Sequence, residues 1–390
     1  MIDVERARAV TPGAADRIHL NNAGAALMTQ GVLDATIGHL RLEAEIGGYE
    51  AADAAADRFD AVYTSVARLI GASRSEIAIV DNATAAWDLA FGSIQFDKGD
   101  TILTSEAEYA TNYIMYLKTM RDRGVRVEVI PSDHTGQLDV RALERMINGS
   151  TRLISVTHVP TNGGLVNPAA EIGAVARAAG VPYLLDACQS VGQLQVDVGE
   201  IGCDFLSATG RKFLRAPRGT GFLFVRQDLL EDAEPPFVDM HGATWVERER
   251  YQLRPDARRY ETWEFNYAAV LGMGVAIDEA LEWGMADIEE RVTHLGAALR
   301  GKLEDAGFEV FDIGARKCAI VTTAVPGRGA EEARRLLFDK GVNVSVTGAS
   351  STRIDAEKRG LPEMLRLSPH YYNTDEELDQ AVATLVSIRP

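Results

Sequence analysis

Lysine is scarce in this chain: seven lysines stand among 40 basic residues, so arginine supplies nearly all of the positive charge. Cysteine is scarcer still, with three residues in no paired or metal-type spacing, which argues against both a disulfide framework and a zinc site. Seven histidines lie scattered without forming a ligand cluster, and no metal is expected. Basic patches are missing as well. A formal net charge of −17 and an isoelectric point near 4.9 argue against nucleic acid or an anionic membrane as partner. No uninterrupted apolar run approaches membrane-spanning length. The segment Met1 to Thr11, with Asp3, Glu5, Arg6 and Arg8, lacks the apolar stretch of a signal peptide, so a cytoplasmic protein is expected. Repeats and low-complexity tracts are absent. No Gly-x-Gly-x-x-Gly follows a strand, since Gly272-x-Gly274 falls inside a helical pattern, and this tells against a nicotinamide dinucleotide.

What the chain has is size and alternation. At 390 residues and 46% hydrophobic it can bury a large core and is expected to form two domains, a large one over 16–275 and a small one over 1–15 and 276–390. Strand-like runs at Ile77 to Val80, Thr101 to Thr104, Val125 to Ile130, Leu153 to Val156 and Tyr183 to Leu185 alternate with helical spacing through Tyr113 to Met120, Leu138 to Ile147 and Ala169 to Ala179. That alternation predicts an α/β fold with a mostly parallel sheet covered on both faces, closed by Gly219 to Val225 as an edge strand. Pro235-Pro236 marks a loop. Beyond Met285, helices over Met285 to Ala306, Glu331 to Asp339 and Glu376 to Ile388 separate short strands at Glu309 to Phe311, Ala319 to Ala324 and Val342 to Val346. This predicts a smaller α+β unit at the C-terminal end.

One lysine is oddly placed. Lys212 is the only lysine between Lys118 and Lys302, and it sits in the small-residue turn Thr209-Gly210-Arg211-Lys212 between two apolar runs. An amine can do covalent work that a permanently protonated guanidinium cannot, although an exposed turn lysine has the same local sequence. Upstream, Pro182-Tyr183-Leu184-Leu185 ends in Asp186-Ala187-Cys188-Gln189, which places Asp186 at the carboxyl edge of the sheet, where open α/β folds bind ligands. A lysine to carry an aldehyde and an acid to keep a ring nitrogen protonated are the two requirements of pyridoxal 5'-phosphate chemistry. At about 4 Å and an effective dielectric of roughly 20, an Asp–pyridinium pair gains on the order of 4 kcal/mol before desolvation. An isolated Asp at a strand end is otherwise an ordinary turn or cap residue.

These two motifs resemble those of the class V aminotransferase group of pyridoxal-phosphate enzymes, which includes cysteine desulfurases, kynureninases and isopenicillin N epimerase-like proteins. The resemblance covers nearly the whole chain and implies the fold type I architecture of pyridoxal-phosphate-dependent transferases, with a small-molecule amino acid as substrate and a homodimeric assembly. It implies that Asp186 pairs with the pyridinium, Gln189 reaches the ring hydroxyl, Thr209 and Arg211 bind phosphate, and Lys212 forms the Schiff base. Cys188 takes the place of the group's Ala against one ring face, and Arg211 replaces His. Asp81-Asn82-Ala83-Thr84 follows a strand and opens a helix, where Ala83 and Thr84 resemble the group's phosphate cradle; Thr84 fits a helix N-cap equally well. Glu108-Tyr109-Ala110-Thr111-Asn112 falls where the group has Glu-His-His-Ala-Asn, which would stack Tyr109 on the ring. In Thr157-His158-Val159-Pro160-Thr161-Asn162, either Thr161 or Asn162 is placed to approach the ring hydroxyl or the substrate. Leu365-Arg366-Leu367-Ser368, running on to Tyr372-Asn373-Thr374, aligns Arg366 with the arginine that grips a substrate α-carboxylate, a role suited to the guanidinium fork. Asn22 and Asn162 join Arg366 as expected substrate contacts. In Tyr260-Glu261-Thr262-Trp263-Glu264-Phe265, Glu264 stands where related chains carry a threonine that reaches the neighbouring subunit's phosphate. A carboxylate cannot donate to phosphate, so that contact stays open. Trp263 and Phe265 hint at an exposed aromatic pair for assembly.

The reaction is less determined than the cofactor. Cysteine desulfurases of the group carry a nucleophilic cysteine on a loop shortly before the carboxylate-binding arginine, whereas Thr347 to Pro362 contains none, which tells against desulfuration through a persulfide. β-Elimination, racemisation and transamination all remain, because each begins by removing the Cα proton into the electron sink. Thr161-Asn162-Gly163-Gly164, Glu261-Thr262-Trp263-Glu264-Phe265 and Pro369-His370-Tyr371-Tyr372-Asn373 most resemble the branch of hercynylcysteine sulfoxide lyases and isopenicillin N epimerase-like proteins. The favoured expectation is a carbon–sulfur lyase, with an aminotransferase, an epimerase or a pyridoxal-phosphate-binding protein without turnover as alternatives.

Overall fold

The computed structural model describes residues 1–231 and 233–390. Seven strands form the main sheet: β1 (Ile77–Val80), β2 (Thr101–Ser105), β3 (Arg126–Ile130), β4 (Thr151–Thr157), β5 (Tyr183–Asp186), β6 (Phe205–Thr209) and β7 (Gly221–Val225). Their spatial order is β1-β7-β6-β5-β4-β2-β3. The pairs from β6 through β3 are parallel, while β7 runs antiparallel to both β6 and β1. Six strands therefore point their carboxyl ends to one edge, and only β7 is reversed.

The position of β7 corrects the expectation that this run closes the sheet at an edge. It lies inside, between β1 and β6, and β1 takes the edge. Its interior place follows from β1 pairing along its free side, and its side chains fit that place. Phe222 and Phe224 enter the core on one face of the sheet, while Leu223 and Val225 enter the core on the other, so every position is buried. Its backbone is paired on both sides as well, whereas an edge strand leaves one row of N–H and C=O groups unpaired. Burying one such Phe is worth about 1.5–3 kcal/mol. The same alternation recurs in β1, where Ile77 and Ile79 face one core and Ala78 the other, and in β5, where Tyr183 and Leu185 oppose Leu184.

A second core gathers Leu295, Leu299 and Leu303 from the helix Met285–Asp305, Leu378 and Leu385 from the helix Asp375–Ser387, and Leu365 and Leu367 from a strand. That strand, β10 (Met364–Leu367), is the centre of a three-stranded antiparallel sheet with β8 (Val321–Thr323) and β9 (Ser345–Thr347). The strand expected at Glu309 to Phe311 is reduced to a single bridge between Val310 and Thr323, and the expected strand Val342 to Val346 is split into Val342–Asn343 and β9. Near the N-terminus, Ile18–His19 pairs in parallel with Val342–Asn343 and Leu20 packs in the second core, tying this segment to the C-terminal unit. Thr374 caps the last helix in a capping box with Glu377, as the Thr-Asp-Glu-Glu string implies. Among the described residues no helix is long and apolar enough to cross a membrane.

Two buried histidines make the fold sensitive to acid. His370 Nε2 lies 2.8 Å from the Phe213 carbonyl, and its Nδ1 accepts from the Tyr371 amide at 2.8 Å, an arrangement that fits the neutral ring with its proton on Nε2. Burial, with Arg215 and His19 adding repulsion, pushes its pKa down to about 3; burial pushes His158 down to about 4. Both folded values lie below the unfolded one near 6.5, so the unfolded chain takes up protons that the folded chain refuses as pH falls from 6.5 toward 4. Stability from these rings is complete above that window and declines inside it by about 1 kcal/mol per pH unit per ring. We expect the urea midpoint to drop between pH 7 and pH 5, and His370→Gln to flatten the drop. An equally steep profile in that variant would assign the acid sensitivity to other groups.

Candidate functional site

The carboxyl edge of the sheet is where the chemistry-bearing residues meet. After β1 the chain turns through Asp81 and Asn82 into the helix Ala83–Gly92, with Asn82 as N-cap accepting from the Ala85 amide at 2.9 Å. The capping role expected for Thr84 thus belongs to Asn82, and the amides of Ala83 and Thr84 are left without a partner inside the helix. Gly221, at the start of β7, permits this: a Cβ there would sit 2.9 Å from the Asn82 backbone and 2.6 Å from the Ala208 carbonyl. The helix terminus is thereby pressed against the ends of β6 and β7.

A cavity of about 300 Å³ opens at this edge, and Ala83, Thr84, Tyr109, Asp186, Thr209, Arg211 and Lys212 all line it, with Cys188 beside them. A second, much smaller cavity shares Tyr109, Asp186, Cys188 and Lys212 and adds Thr161 and Gln189. All nine residues expected at the cofactor therefore surround two adjoining spaces. The three expected substrate contacts do not line either. Arg366 is one shell back, its Nη1 donating to Thr161 Oγ1 while its Nε is buried without a partner. Asn162 gives its amide to the Gly348 carbonyl and Thr352 Oγ1, both at 2.8 Å, and accepts from Thr347, so its side chain fastens the loop after β9. Asn22 donates to the Ser368 carbonyl at 2.7 Å and accepts from the Tyr372 hydroxyl at 2.7 Å.

Lys212 sits on a turn fixed from beneath. Gly192, at φ 93°, passes so close that a Cβ would lie 2.4 Å from the Phe213 carbonyl carbon. Burial pushes the Lys212 amine below its usual range, helped by Arg211 and Arg366, while Cys188 and Asp186 pull it back up. A lysine so placed holds its neutral, nucleophilic form at a lower pH than a solvated one. Cys188 is half-buried, and its thiol is pushed up mainly by desolvation, which makes it a packing surface and not a thiolate.

Asp186 is supported by residues that the sequence motifs had not singled out. Its Oδ2 accepts from Asn112 Nδ2 at 3.0 Å and its Oδ1 from the Cys188 amide at 2.9 Å. Asn112 Nδ2 also donates to Glu108 Oε1 at 2.9 Å, and Glu108 further accepts from Thr104 Oγ1, the Tyr109 amide, the Thr157 amide and Thr157 Oγ1. Burial raises the Asp186 carboxyl, against the pull of Asn112, the Cys188 amide and Lys212; burial likewise pushes Glu108 up to about 7. The clue was available: Glu108 and Asn112 lie one helical turn apart directly after β2, a spacing that lets both side chains meet.

These features fit pyridoxal phosphate. The helix terminus with Thr84, Thr209 and Arg211 suits its phosphate, Asp186 its ring nitrogen, and Lys212 its aldehyde. Gln189 Oε1, buried without a partner while its Nε2 contacts the Ala23 carbonyl at 3.3 Å, suits a ring hydroxyl.

The chain matches the family model described as Aminotransferase class-V over residues 18–381. A probable cysteine desulfurase of Methanothermobacter thermautotrophicus is 30% identical over 88% of this chain and 86% of that protein. Among solved structures, the apo cysteine desulfurase of Thermococcus onnurineus NA1 superposes with a TM-score of 0.91 at 24% identity, covering 100% of this chain and 98% of the other. The cystine C–S lyase C-DES, solved with its reaction product cysteine persulfide, gives 0.87 at 21% identity over 97% and 100% of the two chains. These likenesses place the fold in type I of the pyridoxal-phosphate enzymes. The agreement runs from the first paired strand to the last helix, and on that extent the chain belongs to the class V aminotransferase family, with pyridoxal 5'-phosphate as its cofactor.

Proposed function

We propose that this enzyme is a carbon–sulfur lyase that eliminates a sulfur leaving group from Cβ of an amino acid. The observation that carries the reading is a small space lined by Lys212 and Thr161, with Arg366 directly behind Thr161, donating to it and keeping an unpartnered Nε, beside a loop that offers no cysteine. Bound between Asp186 and Lys212, pyridoxal phosphate supplies the electron sink for Cα–H cleavage. Arg366 is pushed down to about 10 by burial and Arg211 but stays cationic, and it orients the α-carboxylate so that the Cα–H bond faces Lys212. Lys212 Nζ accepts the Cα proton, the Cα–Cβ double bond forms, and the Cβ–S bond breaks with its electron pair leaving on sulfur. Thr347-Gly348-Ala349-Ser350-Ser351-Thr352 holds no thiol to receive that sulfur, and Asn162 ties the loop down, so the sulfur product departs free. The names of the relatives, cysteine desulfurase and cystine C–S lyase, support a sulfur-bearing amino acid as substrate class.

The same reading includes a cytoplasmic homodimer. Met240, Trp245, Tyr251 and Trp263 are exposed on the segment after β7 and its hairpin, an apolar surface that a second copy would cover. Phe265, expected to be exposed with Trp263, instead packs edge-on against Phe59 at 5.6 Å. The division into 16–275 and 1–15 with 276–390 also belongs to this reading, with the pairing at residues 18–19 stitching the units together.

Three outcomes are expected. Incubation with L-cysteine and L-cystine yields pyruvate and free sulfide or persulfide, and borohydride reduction leaves a pyridoxyl adduct on the peptide containing Lys212. Keto acid matching the intact substrate skeleton, or Cα exchange without pyruvate, would replace elimination with transamination or epimerisation. Arg366→Ala raises KM for the amino acid by about thirtyfold or more, the consequence of losing at least about 2 kcal/mol of charge pairing, while cofactor content stays near the parent's; unchanged KM removes Arg366 from the substrate. Sedimentation at micromolar concentration gives a dimer that Trp245→Asp weakens, and a fully active monomer would end the assembly proposal.

A further inference from the structure

Three residues beyond Lys212, the chain does something it does nowhere else among the described residues: Arg215 adopts φ 62°, the left-handed region, without being glycine. Such a backbone is costly for a bulky side chain and persists only where surrounding contacts over-determine it. The side-chain contacts are made by the guanidinium of a residue that is 3% exposed. Its Nε donates to the Leu27 carbonyl at 2.9 Å, Nη2 donates to Thr11 Oγ1, and Nη1 donates to the Tyr371 hydroxyl. The ring of Tyr372 lies 4.7 Å from the guanidinium carbon. No carboxylate bonds it among the described residues: its hydrogen-bond partners are neutral oxygens and aromatic faces lie against it, with Glu279 near enough to act on the charge without bonding it.

The arrangement makes sense through what lies at its two ends. On one side the Arg215 amide donates to the Lys212 carbonyl at 2.9 Å, closing the turn that presents the amine. On the other, Tyr371 follows directly from β10 through Ser368-Pro369-His370, and β10 carries Arg366. His370, bonded to the Phe213 carbonyl at 2.8 Å, forms a second rung between the same two segments. We propose that Arg215 is a positioning residue that fixes the spacing between the Lys212 amine and the Arg366 guanidinium, and thereby the fit of the amino-acid backbone between them. This rests on the reading that Lys212 and Arg366 bracket the substrate. The left-handed backbone suits this role, since with it the side chain reaches from the Lys212 loop across to Tyr371 while the main chain continues into β7.

Glycine separates this proposal from the proposed reaction. It carries the α-amine and α-carboxylate but has nothing to lose from Cβ, so its binding to the pyridoxal-phosphate-loaded enzyme, followed by cofactor absorbance, can be read even if elimination fails on every substrate. Arg215→Gly suits the left-handed backbone and removes the whole side chain, guanidinium included. Expected are a loss of glycine affinity of tenfold or more, an undiminished yield of borohydride-trapped Lys212 peptide, and a double variant with Arg366→Lys whose loss falls short of the product of the two single losses. Affinity within twofold of the parent, fully multiplicative losses, or loss of the trapped Lys212 peptide in step with glycine binding would each overturn the proposal. Should Arg215→Gly not fold, Tyr371→Phe removes just the hydroxyl that Nη1 bonds. It is expected to weaken glycine about threefold with Lys212 trapping intact, and parent-like affinity there would be equally decisive against it.

Discussion

A carboxylate removed from water at the carboxyl edge of the sheet is the constraint to which the other features answer. Asp186 is buried at the end of β5, and an isolated charge there would be neutralised by proton uptake. The fold counters this with oriented donors. Asn112 spans two carboxylates with one amide group, bonding Asp186 and Glu108 together, while threonines on β2 and β4 close around Glu108. Removing any member would leave a buried polar group unpaired, which is more damaging than the loss of one bond. The parallel sheet is what brings these groups to one place, since β2, β4 and β5 all end at the same edge.

The architecture of that edge was legible because its signals are local. A strand ending in Asp186-Ala187-Cys188-Gln189, a small-residue turn ending in Lys212 and a strand-to-helix junction at Ala83-Thr84 each state their role within a few residues, and all three come together in the folded chain. The helix Ala169–Ala179 was bounded correctly because Pro168 and Gly180 bracket it. Less legible was anything decided by distant partners. β7 has an apolar pattern that any buried strand shares, and its interior place follows from β1 docking alongside it from residues far earlier in the chain. Asn162 carries a polar side chain near the right motif, but its partners Gly348 and Thr352 lie 186 and 190 residues further along the chain, and no spacing rule foretells them. Glu108 and Asn112 were in view as part of a motif, yet their meaning depends on Thr157 and Asp186 lying beside them in the sheet.

Electrostatics at the site has a division of labour. Acidic residues dominate the chain, with a net charge of −17, while the cavity collects Arg211, Lys212 and, one layer behind, Arg366. Positive charge is thus gathered at the cavity in an otherwise acidic chain. Burial, with repulsion from neighbouring cations added to it, lowers both the lysine and Arg366, and an anionic ligand would offset the repulsive part. Ligand binding and the protonation of the lysine are therefore coupled through the same field.

The reversed strand gives the lysine an unusual mechanical setting. A parallel neighbour for β6 would have required a long crossover, typically a helix, before the chain could re-enter the sheet. With β7 antiparallel, the connection Gly210–Thr220 folds straight back, and both of its ends are anchored by strands deep in the interior. Lys212 thus stands on a short span supported at each end, not on the tip of a free loop. Length changes that surface connections elsewhere absorb easily would here be transmitted directly into the position of one nitrogen atom.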